Sequence, residues 1–287
     1  MKIAVLGSQG QLGRDLCPRL GGDVVPLTRA DLDLTRPDTI APALAAHHAD
    51  VLVNCAAYNF VDKAETEPDA AMAANAWGVR DLARACKAAG CKLVHFSSDY
   101  VFGLDAARTE PFAEDDPPGP VSAYGLSKLA GEYLVRAALA DHLVIRTCGL
   151  YGVWGTGGKG GNFVETMLRV AAQGKLLRVV ADQRCTPSYT ADVADAAAAL
   201  IRCGARGLFH VTSGGSCSWY EFAAEIFRQA GVTADLSPTT SEQFGAPARR
   251  PPFSVLSNAK LAGVGVKAPR PWREALAAYL AERHARR

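Results

Sequence analysis

The chain opens with Lys2-Ile3-Ala4-Val5-Leu6-Gly7-Ser8-Gln9-Gly10-Gln11-Leu12-Gly13, a short apolar run followed by closely spaced glycines. Such a run predicts a buried strand, and the glycines predict a tight turn into a helix. Gly7 can turn tightly, Gly10 lets a ligand approach the backbone, and Gly13 lets the helix lie close to its strand. The first N–H groups of that helix would face a phosphate. The spacing is G-x-x-G-x-x-G rather than G-x-G-x-x-G, but the physical requirements are shared. The stretch predicts a dinucleotide-binding unit, with an ordinary glycine-rich turn as the alternative.

Apolar runs and helical patterns alternate along the rest of the chain. Predicted strands cover residues 24–27, 50–58, 92–96, 142–146, 176–180 and 208–211. Predicted helices cover residues 37–47, 70–89, 124–140, 163–173, 191–202, 219–229 and 272–283. This alternation predicts an α/β fold with a Rossmann-type, doubly wound parallel sheet. We expect an NAD(P)-binding domain over residues 1–180 with a further strand near 207–212. The smaller substrate-binding domain would cover most of residues 181–287, interleaved with segment 148–165.

The composition excludes several classes of protein. Of 287 residues, 49% are hydrophobic, which allows a sizeable core, and 31 basic side chains nearly balance 29 acidic ones. Because no long basic block is present, we expect no nucleic acid polymer as a partner. The eight cysteines form no C-x-x-C pair and no Cys/His cluster, so we expect reduced thiols and no metal. Without a basic leader or eighteen consecutive apolar residues, the sequence predicts a cytoplasmic protein that does not span a membrane.

A second informative stretch is Ser122-Ala-Tyr-Gly-Leu-Ser-Lys-Leu-Ala-Gly-Glu132. Tyr124 and Lys128 are four residues apart on a predicted helix, so their side chains share one face. A cation beside a phenol lowers the tyrosine pKa, which suits proton transfer to or from a substrate oxygen. Ser98 follows a predicted strand, and its hydroxyl could hydrogen-bond a substrate carbonyl beside Tyr124. The alternatives are a surface Tyr–Lys pair and a capping serine.

The region after the second predicted strand bears on the choice of cofactor. Arg29 follows this strand, and an arginine there can pair with the 2′-phosphate of NADP, although a solvated loop arginine is equally compatible. Ala56 and Ala57 lie at the exit of the third predicted strand, and their small side chains leave room for a flat ligand against the sheet. The sequence therefore favours NADP(H) as cofactor, with NAD(H) possible.

With these residues in view, the chain resembles the extended short-chain dehydrogenase/reductases, and within them the dTDP-4-dehydrorhamnose reductase branch. The resemblance rests on segments 7–13, 54–65, 97–102, 124–128, 162–164, 182–183, 186–189 and 249–256. It implies an NAD(P)H-dependent reduction of the C4 ketone of a dTDP-linked 4-keto-6-deoxy sugar. The product would be dTDP-L-rhamnose or a related deoxysugar, and the enzyme a monomer or homodimer.

The resemblance also implies roles for individual residues. Tyr124 would give a proton to the C4 oxygen, Lys128 would hold the nicotinamide ribose, and Ser98 would orient the carbonyl. Expected cofactor contacts are Gly7, Gln9, Gly10, Gln11, Leu12, Arg29, Asp33, Leu34, Ala56, Ala57, Tyr58, Tyr124 and Lys128. Expected substrate contacts are Ser98, Asp99, Tyr100, Asn162 and Arg250.

The sequence departs from that branch at two places. Members typically carry Arg-Thr-Ser-Trp after the fifth strand, with the tryptophan against the sugar, whereas this chain has Arg-Thr-Cys-Gly at 146–149. Trp154, in the following loop, is a candidate replacement. Some members bind magnesium through glutamates at a dimer contact, and the matching positions here are Asp15 and Ala191. We therefore expect no metal.

Two other functions fit the same fold. One is a catalytically silent, NADP-binding regulatory subunit like that of methionine adenosyltransferase. The other is a nucleotide-sugar epimerase or dehydratase. Retention of Tyr124, Lys128 and Ser98 argues against the silent subunit, and the lack of a glutamate beside Asp99 argues against a dehydratase.

Overall fold

A six-stranded parallel sheet lies at the centre of the computed structural model, which describes residues 1–155 and 161–286. The strands in chain order are β1 (Lys2–Leu6), β2 (Asp23–Leu27), β3 (Val51–Asn54), β4 (Lys92–Ser98), β5 (His142–Thr147), β6 (Leu150–Tyr151), β7 (Leu177–Val180), β8 (Arg184–Cys185), β9 (Ser188–Tyr189), β10 (Gly207–His210), β11 (Cys217–Ser218) and β12 (Leu236–Thr239). In the central sheet their order is β2-β1-β3-β4-β5-β10.

Helices connect the strands of this sheet. The helices are α1 (Gln11–Leu20), α2 (Pro37–His47), α3 (Pro68–Met72), α4 (Gly78–Ala89), α5 (Ala123–Ala138), α6 (Phe163–Ala171), α7 (Thr190–Arg202), α8 (Trp219–Ala230), α9 (Ser241–Phe244), α10 (Ala259–Ala262) and α11 (Trp272–Ala285). A π-helical turn spans Ala73–Trp77, and 3₁₀ turns span Lys63–Glu65 and Asp99–Val101.

The central sheet is covered on both faces. Apolar side chains of α1 and α7 pack on one face, and those of α2, α4 and α5 pack on the other. The strands are almost continuously apolar because both of their faces are buried. Strand order reverses at β1, where β2 pairs on one side and β3 on the other. This reversal opens a crevice at the carboxyl ends of the strands. The predicted doubly wound parallel fold is confirmed.

Two glycines let α1 lie against β1. Gly7 has φ of +77°, a left-handed conformation that favours glycine, and a Cβ there would lie 2.8 Å from the Ala56 nitrogen. A Cβ on Gly13 would lie 2.3 Å from the Gly7 carbonyl oxygen. A larger residue at Gly7 would clash with the backbone that follows β3, and one at Gly13 would push the helix away from the turn after β1.

A second core lies outside the central sheet. It joins Tyr151 and Tyr189 to the apolar faces of α6, α8 and α11. Strand β7, at the end of the domain predicted for residues 1–180, pairs with β12 and not with the central sheet. Strand β12 has no counterpart among the predicted strands, because its Leu-Ser-Pro-Thr run has little apolar character. The domain boundaries stay predictions, and residues 156–160 of the interleaved segment lie outside the described residues.

The structure bears on two predictions for the whole chain, one about its cysteines and one about membrane-spanning segments. All eight cysteines are free thiols, as predicted. In the described ranges, none of the helices combines the length and the apolar character needed to cross a bilayer.

Candidate active site

The carboxyl edge of the central sheet brings Ser98 and Tyr124 together. Ser98 is the last residue of β4, and Tyr124 lies in the first turn of α5. Ser122 fixes the start of α5, since its hydroxyl accepts a hydrogen bond from the Gly125 amide at 3.1 Å. The Ser98 hydroxyl donates to Asp99 at 3.1 Å, and it lies near enough to the Tyr124 phenol to affect the pKa of that phenol. The structure therefore brings these two groups together, as the sequence predicts.

The ionisation of Tyr124 differs from the sequence-based expectation. Burial raises the pKa of Tyr124 to about 12, and the nearby Ser98 hydroxyl only partly opposes this. The expectation that the pKa of this phenol is lowered is therefore wrong for this structure. At neutral pH the phenol carries its proton, which is the state required of a proton donor.

Lys128 lies one helical turn after Tyr124 and is 2% exposed. Its ammonium donates a hydrogen bond to the Phe96 carbonyl at 2.7 Å, which fixes the side chain against β4. Burial lowers the pKa of Lys128 to about 8, while the charge of Glu132 acts in the opposite direction. The lysine remains mostly charged at pH 7.

A buried ion pair, which the sequence analysis did not predict, joins α5 to strands β4 and β5 near this edge. Glu132 is 1% exposed and accepts two hydrogen bonds from Arg146, at 2.8 and 2.7 Å. It also accepts a hydrogen bond from Ser97. The arginine within the apolar run of β5 was the available signal, because a buried arginine requires a partner.

Asn75 links the cofactor side of the site to α5. Its amide forms hydrogen bonds with the Tyr58 N–H at 2.9 Å and the Tyr58 carbonyl at 3.0 Å. It also donates to the Ser127 hydroxyl, which in turn donates to the Tyr124 carbonyl at 2.7 Å. This buried asparagine lies in the π-helical turn, a distortion often found at functional sites. Nothing in the sequence alone assigns Asn75 this role.

The glycine turn leads into a helix start that no side chain caps. Gly7 and Ser8 donate their amides to the Leu27 carbonyl, so the turn itself is fixed. No side chain caps the N-terminus of α1, which starts at Gln11. The first N–H groups of this helix therefore remain for a ligand, and the half-buried Ala56 lies beside the turn.

The predicted contacts for the adenosine end lie beyond β2. Arg29 is exposed and donates a hydrogen bond to Asp33 at 2.9 Å. Leu34 is buried beside them. The guanidinium of Arg29 therefore has free N–H groups facing solvent, as pairing with a phosphate requires.

A cavity of about 790 Å³ opens beside the part of the sheet edge that carries Ser98, Tyr124 and Lys128, called the catalytic edge below. Its volume is within the range of small-molecule sites. Tyr100 forms part of its wall, and the Tyr100 ring lies 5.6 Å from the Tyr124 ring. Arg250 lines the cavity too and donates to Asp62 at 2.9 Å. Other lining residues include Phe163, Asp182, Gln183, Trp219, Phe244 and Arg249.

Two predicted substrate contacts have other roles in the structure. Asp99 is 3% exposed, and its carboxylate accepts hydrogen bonds from Ser98 at 3.1 Å, Cys148 at 3.0 Å and Ser254 at 2.6 Å. Asn162 caps α6 and donates to the Gly152 carbonyl at 2.9 Å. Neither belongs to the described lining of the cavity. In the structure Asp99 holds Ser98 and Asn162 caps α6, and their contact with a substrate stays a prediction.

Trp154 and Asp15, which belong to the two departures from the family, contact each other. The Trp154 indole donates to Asp15 at 3.1 Å and stacks under Arg286 at 4.1 Å. Trp154 as the replacement for the missing tryptophan stays a prediction. Asp15 also accepts from Thr190. Over residues 1–155 and 161–286, no group of three His, Cys, Asp or Glu side chains could hold a metal, and the absence of a metal stays a prediction.

Comparison with known proteins agrees with this geometry. Residues 1–285 match the family model described as the RmlD substrate binding domain. A dTDP-4-dehydrorhamnose reductase of Streptomyces griseus is 42% identical, with 95% of this chain and 90% of that protein covered. This chain belongs to the dTDP-4-dehydrorhamnose reductase family. The predicted family resemblance is confirmed.

Two further members of this family extend the comparison. A probable dTDP-4,6-dihydroxy-2-methyloxan-3-one 4-ketoreductase of Streptomyces antibioticus is 44% identical over 96% of this chain and 93% of that protein. The structure of a dTDP-4-dehydrorhamnose reductase from Bacillus anthracis, in complex with NADP, superposes with a TM-score of 0.92. It is 37% identical, and the match covers 98% of this chain and 99% of that one.

Proposed function

We propose that this protein is an NADPH-preferring reductase of the C4 ketone of a dTDP-linked 4-keto-6-deoxy sugar. The observation that carries the proposal is the position of the Tyr124 phenol near Ser98 at the carboxyl edge of the sheet, with its ring 5.6 Å from that of Tyr100, which lines the cavity. The names of the relatives support the substrate class, and the NADP complex of the Bacillus anthracis enzyme supports the cofactor.

The residues of this chain would divide the reaction among them. NADPH, when bound, supplies the hydride to C4. Tyr124 is protonated at neutral pH and gives its proton to the C4 oxygen. Ser98 donates a hydrogen bond to the same oxygen and stabilises the negative charge that develops there. The charged Lys128 adds a positive potential from beneath the site.

The cofactor would extend across the switch point of the sheet. The uncapped start of α1 would hold the pyrophosphate, with Gly10 allowing its close approach. The exposed Arg29 would pair with the 2′-phosphate and give the preference for NADPH over NADH. Asp33, Leu34, Ala57 and Tyr58 remain the predicted neighbours of the adenine and the nicotinamide.

The substrate would occupy the cavity. A nucleoside diphosphate carries two negative charges or more, and Arg249 and Arg250 both line this space. An arginine binds phosphate oxygens with two parallel hydrogen bonds, so these residues are suited to the diphosphate. The sugar then extends toward Tyr100 and Tyr124. A cytoplasmic location and a monomeric or dimeric assembly remain predictions.

Replacing Tyr124 with Phe tests the proposal. We expect kcat for NADPH oxidation with dTDP-4-dehydrorhamnose to fall by about 10²–10⁴-fold, because the proton donor is lost. The dissociation constant for NADPH should stay within about twofold, since the phenol oxygen is a minor part of the cofactor contact. Tyr133→Phe, on the exposed face of the same helix, is the matched control and should retain full activity.

An unimpaired Tyr124→Phe enzyme would refute the assigned proton donor. If the wild-type protein bound NADPH but oxidised none of a panel of 4-keto nucleotide sugars, the catalytically silent regulatory subunit would become the better description. Exchange at C4 or loss of water, without net NADPH oxidation, would instead indicate an epimerase or dehydratase.

A further inference from the structure

Gly149 leaves a gap at the catalytic edge of the sheet. It follows β5 by two residues, and Thr147, the last residue of β5, is in register with Ser98. Gly149 has φ of +51°, which favours glycine. A Cβ at this position would lie 3.2 Å from Cη2 of Trp219 and 3.2 Å from Cα of Pro187. The Trp219 indole therefore lies where a side chain at position 149 would begin.

The main chain around Trp219 holds the indole in this place. Trp219 is the first residue of α8, and Ser218 and Glu221 form a reciprocal capping box, with hydrogen bonds of 3.1 and 2.7 Å. Just before it, strand β11 pairs with β8 in antiparallel orientation, and this register places Cys217 opposite Cys185. A capped helix start joined to a strand pair leaves the backbone little freedom.

Neighbouring rings fix the orientation of the indole. The Phe163 ring lies 4.8 Å from the Trp219 ring, at an angle of 45°. The Phe222 ring, one turn along α8, is 6.3 Å away. Trp219 remains half-buried, and part of its surface forms the wall of the 790 Å³ cavity. An apolar face of a fixed aromatic ring is thus presented to the ligand space.

The position of this face determines which part of a ligand it can meet. Trp219 contacts Gly149 at the sheet edge, and the same cavity wall includes Tyr100, whose ring is 5.6 Å from Tyr124. A substrate whose C4 oxygen reaches Tyr124 would place its hexose beside Tyr100, and Trp219 meets this end of the cavity through Gly149, two residues after the strand position paired with Ser98. A 6-deoxy hexose offers C–H groups and a methyl group, which pack well on an aromatic ring.

We propose that Trp219 determines specificity for the sugar, by packing its indole on the hexose ring and the C6 methyl group. The indole comes from α8 in the second core and reaches the hexose because position 149 has no side chain. This inference rests on the proposed function for the identity of the sugar. It assigns Trp219 a contact with substrate and no part in proton transfer.

The test compares complete and truncated ligands in Trp219→Ala and Trp219→Phe. For Trp219→Ala we expect KM for the 4-keto-6-deoxy sugar nucleotide to rise by at least about tenfold, the usual range for losing an apolar pocket contact. Trp219→Phe should lie between this variant and the wild type. By calorimetry, dTDP-L-rhamnose should bind more weakly to Trp219→Ala by a similar factor. Binding of dTDP alone and of NADPH should stay within about twofold, since neither would touch the indole.

Trp77→Ala is the matched control, because Trp77 is 46% exposed and lies outside the cavity lining. It should behave as the wild type. An unchanged KM in Trp219→Ala would overturn the inference, as would equal weakening of dTDP and dTDP-L-rhamnose. If Trp219→Ala does not fold, Trp219→Phe alone decides between the same outcomes. Failure of the proposed function would instead appear as a wild-type enzyme that does not oxidise NADPH, while the calorimetric comparison would still report on Trp219.

Discussion

The catalytic edge and the cavity wall are built in different ways. Ser98, Tyr124 and Lys128 are each no more than 9% exposed, and hydrogen bonds hold them to neighbouring strands and helices. The wall instead combines half-buried side chains such as Phe163, Trp219 and Arg250, which come from segments far apart in the chain. The difference teaches that the proposed proton-transfer groups depend on the fold's core, whereas the proposed substrate contacts come from half-buried side chains at the cavity surface. Variants of the edge should therefore affect turnover or stability, and variants of the wall should affect substrate affinity.

The largest expected effect on the edge comes from the buried ion pair. Glu132→Gln removes the negative charge opposite Arg146, and both side chains are no more than 2% exposed. Leaving a buried charge without its partner costs about 3–5 kcal/mol, so we expect the free energy of unfolding to fall by that amount. Urea unfolding followed by fluorescence measures this loss.

The matched control is Asp38→Asn, which removes the carboxylate of an exposed pair with Arg36. Exposed pairs contribute at most about 1 kcal/mol, so this variant should unfold nearly as the wild type does. If both variants lost the same free energy, the catalytic edge would have no special dependence on its buried charges.

This contrast also explains which features were predictable. The roles of Gly7 and Gly13 in the turn, and the shared face of Tyr124 and Lys128, depend on local spacing and on conformations that only certain residues adopt. The partner of Arg146 was not predictable, because any of several acidic residues along the chain could have paired with it. The raised pKa of Tyr124 follows from burial by distant segments, which spacing along one helix does not report.

The cavity wall was the least predictable part. Trp219 is far from Gly149 in sequence, and only the tertiary structure shows that the indole reaches that position. Asp99 and Asn162 were expected to bind substrate because of where they occur in the family resemblance. Their hydrogen bonds to Ser254 and to the α6 backbone show that polar residues near a site also serve to hold it together.

Replacement of Arg250, in the cavity wall, should have an intermediate effect on substrate affinity. Arg250→Gln removes a charged group from the cavity, and charged hydrogen bonds contribute about 1.5–3 kcal/mol. We expect KM for the nucleotide sugar to rise by about 10–100-fold, while kcat changes by less than about threefold. Steady-state kinetics at saturating NADPH separates the two constants.

Asp62→Asn is the control for the ion pair that Arg250 makes. It leaves the guanidinium in the cavity and should change KM by no more than about threefold, the cost of one partly exposed pair. A loss confined to kcat in Arg250→Gln would mean that the wall takes part in proton transfer, contrary to the division drawn here.

The smallest expected effect is the pH dependence set by Lys128. Burial lowers the pKa of Lys128 to about 8, and the same cause keeps the phenol of Tyr124 protonated until about pH 12. The pKa of the neighbouring His95 is held well below its usual range by burial, so His95 stays neutral above pH 7. We expect kcat/KM to be level between about pH 7 and 8 and to fall about tenfold per pH unit above that, because kcat/KM reports the free enzyme.

The lowered pKa of Lys128 reduces activity above pH 8, but it increases the stability of the folded chain over the same pH range. Between about pH 8 and 10.5 the unfolded chain keeps a proton on Lys128 that the folded chain has released, so this residue makes the free energy of unfolding rise with pH. Activity should therefore decline over a pH range in which the contribution of Lys128 to stability increases, which separates loss of the charge from loss of the fold. A kcat/KM profile that stayed level to pH 10 would show that the ammonium of Lys128 is not required, and an activity loss that followed unfolding would show that it acts only through the fold.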